Sequence, residues 1–161
     1  MATDPKNHGK PWTDADLEFQ ARHVAGMVAQ NASFNCNAAK VLVVAKGWAR
    51  KQAFLDRVRE ALRRTPARKA YYPGAQERYQ AFVDRYPQAQ AVGEKREGVV
   101  PWTVIPDVPG NAGEYALNTE AFCGVAITRS ALYNPAARIS SRVARRSSRI
   151  APNISPPSNR E

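Results

Sequence analysis

Segments with the spacing of amphipathic helices alternate along this chain with short β-favouring runs, and that alternation restricts the possible folds more than any other feature. Thr13 precedes Asp14 and Asp16, so a threonine cap can satisfy free amide hydrogens while the acids complement the helix dipole. Leu17, Ala21, Val24 and Val28 then follow at spacings of four, three and four, which puts them on one face. Asn31, Ala32, Ser33, Phe34 and Asn35 break the pattern with turn-favouring residues, and residues 41–44, all Val or Leu, predict a short buried strand. Cys36 therefore falls between a helix and a strand. Residues 49–64 repeat apolar side chains at Phe54, Val58 and Leu62 before Thr65 and Pro66 end the helix. A third helix is predicted over residues 74–86, stopped before Pro87. Residues 99–105 favour a strand, residues 106–113 a surface loop, and residues 122–127 another strand. The fold class this order implies is α/β.

The character of the chain changes after Ile127. From Arg129 to the end there are seven arginines against one acid, Glu161, whereas the preceding 128 residues carry 17 basic and 13 acidic side chains. The net charge of +10 thus describes the end of the chain more than its body. Arg, Ser, Ala and Pro dominate there with few large apolar residues, a composition predicted to stay disordered because it cannot bury enough surface to offset its ordering entropy. The expected organisation is a disordered segment over residues 1–11, a folded body over 12–128 and a disordered basic tail over 129–161.

Several function classes are disfavoured. No run approaches the roughly 18 apolar residues of a membrane span, and the polar opening residues do not support a secretory signal, so a cytoplasmic location is expected. Two cysteines, Cys36 and Cys123, are too few for a disulfide framework, and no spacing suggests a metal site. A nucleic-acid-binding role for the tail is the alternative function. Its only aromatic residue is Tyr133, so it would bind by charge alone and without sequence specificity.

Chemistry centres on Cys36. A free thiol in a polar turn is either a buried structural residue or a nucleophile, since thiolates attack carbonyl carbon and nearby backbone amides can steady the resulting oxyanion. His23, thirteen residues upstream on the first helix, reads as an exposed helical histidine rather than a base. Lys40 could lower the thiol pKa electrostatically, although a solvated lysine is the simpler expectation.

The stretch WTDADLEFQARHVAGMVAQNASFNCNAAKVLVVAKGWARKQAFLDRVREAL, followed downstream by VVPWTVIPDV and NTEAFCGV, resembles the aldehyde dehydrogenase family. In that family a helix leads to the catalytic cysteine, then a strand and a helix, and later a P-T-v-l-x-D-V strand and an E-x-F-G-P-V segment. The motifs cover residues 12–127 in the family's order. The resemblance implies a partial catalytic domain whose intact relatives oxidise an aldehyde to an acid with NAD or NADP, the chain alone being inactive. It implies Cys36 as the nucleophile, Glu120 as the carboxylate holding the nicotinamide ribose, and Phe122 as the aromatic beside the nicotinamide. Taken without it, Glu120 is equally an exposed loop acid and Phe122 a core aromatic. Two departures mark a divergent member: Ser33, Phe34 and Asn35 precede the cysteine, and Cys123 and Gly124 follow Phe122 where the family has Gly and Pro.

The resemblance also implies that the nucleotide-binding half and the general base lie upstream. No glycine-rich phosphate loop occurs in the chain. The expectation is a truncated or frame-shifted reading frame that binds no cofactor by itself, with the oligomeric state left open.

Overall fold

The computed structural model describes residues 11–93 and 96–131. The segments expected to be disordered therefore lie almost wholly outside the described residues. Helix α1, Asp14–Ala29, opens on a capping box in which the Asp16 amide donates to the Thr13 hydroxyl (3.2 Å) and the Thr13 amide donates to the Asp16 carboxylate (2.8 Å). Its apolar stripe of Leu17, Ala21, Val24, Ala25 and Val28 is buried against Phe54, Leu55, Val58 and Leu62 of α2, Lys51–Arg64. Trp12 closes the end of this pair edge-on to Trp48 and Phe54, with ring centroids 5.2 and 5.8 Å away. Arg50 and Arg57 of the α2 end both reach Asp14.

Four strands form one sheet in the order β1-β4-β3-β2: β1 is Val41–Ala45, β2 Gln90–Ala91, β3 Thr103–Ile105 and β4 Val125–Ala131. β4 runs parallel to both β1 and β3, while β2 is antiparallel to β3. The pleat sends alternate side chains to opposite faces. Val104 and Ala126 join Val44 and Trp102 in the core under α1 and α2. Ile105, Val125 and Ile127 join the second core with Ala75 and Phe82 of α3, Ala75–Arg85, together with Phe34, Tyr86 and Ala116. Covered on both faces, β4 is buried from Val125 to Thr128, and its first three residues are all apolar, as in buried parallel strands. A short helix α4, Tyr115–Asn118, lies between β3 and β4 and is tied down by the Tyr86 hydroxyl, which accepts from the Ala116 amide (2.9 Å) and donates to Glu114.

Four expectations need correction. The strand expected to be buried, β1, lies at the sheet edge, with Val41 and Val43 each 41% exposed and only Val44 buried. An apolar run reports burial on average and cannot say which strand lacks a neighbour. The strand expected over residues 99–105 is formed only by Thr103–Ile105, because Pro101 has no amide to donate, and Val99 pairs alone with Lys69. The last strand begins at Val125 rather than Phe122, which sits in a left-handed conformation (φ 40°). It also continues through Arg129 and Ser130, past the boundary expected at residue 128, because these residues pair with Val43 and Val44 and Ser130 accepts from the Lys51 ammonium (2.6 Å).

Candidate functional site

The chain leaves α1 through three consecutive left-handed residues, none of them glycine: Asn31 (φ 48°), Ala32 (φ 53°) and Ser33 (φ 66°). Such conformations persist only where the surroundings hold them, and they gather at functional segments. Here Ala32, Ser33 and Phe34 are buried, the Phe34 amide donates to the Asn31 carbonyl (3.0 Å), and the Ala39 amide returns to the Met27 carbonyl at the end of α1 (3.0 Å). Cys36 stands at the exposed crest of this turn.

Lys40 holds the turn from below. Its ammonium donates to the Ser33 carbonyl (2.7 Å), to the Ser33 hydroxyl, and to the carbonyl of Cys123, 83 positions further along the chain (3.0 Å). The lysine expected to be solvated is thus half-buried and fully engaged. Burial lowers its pKa to about 8, against the opposing pull of Cys123 and Glu120. Cys123 is fully buried, and that burial pushes its thiol up to about 11, countered in part by Lys40 and Arg78.

An aromatic stack makes a second link between the same two segments. The Tyr72 ring lies between Phe34 and Phe122, nearly parallel to both, with centroids 6.3 and 5.4 Å away at interplanar angles of 13° and 11°. Tyr71 meets Phe34 edge-on at 4.7 Å, and both tyrosines are exposed. Arg78 covers Tyr72 at 5.6 Å and donates from Nε to the Ala121 carbonyl (3.1 Å) and from Nη1 to the Pro73 carbonyl (2.9 Å). Phe122 is half-exposed and Glu120 exposed. Behind them, Gly124 lies so close to Trp102 that an added Cβ would sit 3.0 Å from Trp102 Cε3 and 3.2 Å from the Pro101 carbonyl.

Residues 33–36 and 120–123 are therefore drawn into one region by Lys40 and by the Phe34, Tyr72 and Phe122 stack. Four participants, Tyr71, Tyr72, Arg78 and Lys40, were not legible in these roles in the sequence. Tyr71 and Tyr72 are adjacent aromatics beside Pro73 and Gly74, an available signal of a surface aromatic patch. Arg78 reads as any arginine on a solvated helix face, and Lys40, open in the sequence to an electrostatic role beside the thiol, reads more simply as a solvated lysine. His23 is exposed on α1, stacked beside Phe19. Among the described residues no group of three or more His, Cys, Asp or Glu side chains is arranged to hold a metal ion, and no helix is long and apolar enough to cross a membrane.

The fold is shared with a segment of solved aldehyde dehydrogenases. The aldehyde dehydrogenase from Bacillus cereus, solved as its NAD+ complex, aligns over 81% of this chain and 29% of its own length, with 17% identity and a TM-score of 0.60. Gamma-glutamyl-gamma-aminobutyraldehyde dehydrogenase from Burkholderia cenocepacia aligns over 76% of this chain and 27% of its own, with 17% identity and a TM-score of 0.62. For 1-pyrroline-5-carboxylate dehydrogenase from Thermus thermophilus the shares are 73% and 25%, at 16% identity and a TM-score of 0.62. The chain thus spans less than a third of the length of these structures. No family model matches it, and no curated protein matches it in sequence.

Proposed function

We propose that this chain is the cysteine-bearing segment of an aldehyde dehydrogenase-like oxidoreductase that converts an aldehyde to an acid with NAD or NADP, and that by itself it is inactive. What supports the reading is the joining of the Cys36 turn to residues 120–123 in a fold shared with aldehyde dehydrogenases. Cys36 is exposed on its turn, its own backbone amide is the candidate donor to an oxyanion, and its thiolate attacks the aldehyde carbon to form a hemithioacetal. Cys36 then carries the acyl group until water releases the acid.

The residues present fit one end of the cofactor. Glu120 offers an exposed carboxylate for ribose hydroxyls, and Phe122 a half-exposed ring, braced by Tyr72, for the flat nicotinamide. The cofactor, when bound, supplies the hydride acceptor. Its diphosphate needs a backbone cradle at a helix N-terminus, which this reading places outside the described residues. Positioning of reactants supplies about 7–11 kcal/mol of a typical barrier, so a chain holding only the nicotinamide end is expected to show no turnover.

The test joins the upstream portion of one of the solved relatives to this chain. The chimera should reduce cofactor in the presence of aldehyde while the 161-residue chain alone does not. Cys36→Ser in the chimera should abolish activity and Cys123→Ala should keep most of it. Equal turnover of a Cys36→Ala chimera and its parent would remove the nucleophile assignment.

A further inference from the structure

We propose that Lys40 is a positioning residue: its ammonium clamps the strained turn that carries Cys36 to the backbone of Cys123, and so sets the thiol relative to Phe122. The geometry carries this. Three bonds radiate from one nitrogen, two to Ser33 and one to Cys123, bridging segments 83 positions apart. Ser33 is the last of the three left-handed residues and has no exposed surface. A turn of three non-glycine residues in this region is intrinsically unfavourable, so something outside it must hold it. Lys40 is also tied to β4 through its backbone, since its carbonyl accepts from the Ile127 amide (2.8 Å). One residue therefore anchors the turn to the sheet by main chain and to the Phe122 segment by side chain.

A clamp made of an ammonium is sensitive to its proton. Protonated, Lys40 offers three N–H donors to three acceptors; neutral, it offers two and loses the charge assistance that strengthens all three. The charged and titratable groups that bear on it are the Glu120 carboxylate and the Cys123 thiol, and Arg78 of α3 in turn acts on Cys123. Burial already brings Lys40 to about 8, so the clamp weakens in the pH range where thiolates form. The link to catalysis rests on the reading of Cys36 as nucleophile, whereas the clamp itself does not.

The experiment follows backbone amide signals of the nitrogen-15-labelled 161-residue chain by NMR between pH 6.5 and 10. The amides of residues 33–36 and of Cys123 and Gly124 should shift with one common midpoint near 8. Lys40→Met should abolish that shared titration and speed amide exchange across residues 33–36 by about ten- to a hundredfold, as expected for losing hydrogen bonds to a charged group. Lys40→Arg, which does not lose its proton, should hold the turn through pH 10. A midpoint shared by both segments in the unaltered chain needs no variant to fold, and its absence overturns the proposal. So does a titration that survives in Lys40→Met. The functional reading fails separately: a chimera in which Cys36→Ala retains activity removes the nucleophile while leaving the clamp intact, and an active chimera without the shared titration removes only the clamp.

Discussion

The two thiols of this chain should differ in reactivity by several orders of magnitude. The perturbation is brief alkylation of the native protein with iodoacetamide at pH 8. Only thiolates react appreciably. The Cys123 thiol, pushed up to about 11, lies three units above that pH, so about one molecule in a thousand carries the thiolate. Cys123 also has no exposed surface, packed among Val125, Ile105 and Phe82, so the reagent reaches it only after local opening of the core. Its rate should fall at least about a thousandfold below that of an exposed thiolate, with the opening equilibrium reducing it further. Cys36, exposed at the crest of its turn, needs no opening. Peptide mass spectrometry at timed intervals should find a single adduct at Cys36 in native buffer and adducts at both cysteines in urea. Cys123→Ala should leave the single native adduct at Cys36 in place, since Cys36 is already exposed. Comparable native rates at the two cysteines would refute both the burial of Cys123 and the reasoning that Cys36 is the thiol available for chemistry.

Stability should depend on alkaline pH in a specific way. Lys40 loses its proton at about 8 in the folded chain and at 10.5 when unfolded, so stability rises with pH across that window, by up to about 1.4 kcal/mol per unit. Cys123 keeps its proton to about 11 when folded but loses it from 9 when unfolded, so its contribution is lost between 9 and 11, and the raised pKa of Tyr86 acts the same way above 10. Urea midpoints read by tryptophan fluorescence should therefore climb from pH 8 to 9 and then level off, with the climb prolonged in Cys123→Ala; a fall from pH 8 to 9 would contradict the buried ammonium. Trp102→Phe should cost about 1–3 kcal/mol in urea unfolding, because Trp102 Nε1 donates to the Thr65 carbonyl at the end of α2 (2.8 Å) and Phe leaves that carbonyl unpaired. An unchanged midpoint would mean that water satisfies Thr65.

The helices were legible in the sequence because their causes are local. Thr13 and Asp16 cap α1 within one turn, the four-three-four spacing of its apolar residues describes the face it buries, and Thr65 with Pro66 ends α2 close to where the structure ends it. The motif order that resembles the aldehyde dehydrogenases was legible too, since it is written in residue types along the chain. Sheet membership was not. β2 is two residues, Gln90 and Ala91, with no β-favouring character, and exists because β3 presents an edge to it. β1 looks more apolar than it is buried, because whether a strand has one neighbour or two is decided by the strands that arrive later. The site divides the same way. Cys36, Glu120 and Phe122 are proposed from their motifs, but the burial of Lys40 and the stacking of Tyr72 were not legible, since their partners lie up to 83 positions away and a side chain's protonation and surroundings follow from what folding packs around it. Local sequence determined which segments become helices and where the cysteine turn falls. Only tertiary contact decided which lysine is buried, which thiol is silent and which rings meet, because burial and long-range pairing are properties of the assembled chain rather than of any stretch of it.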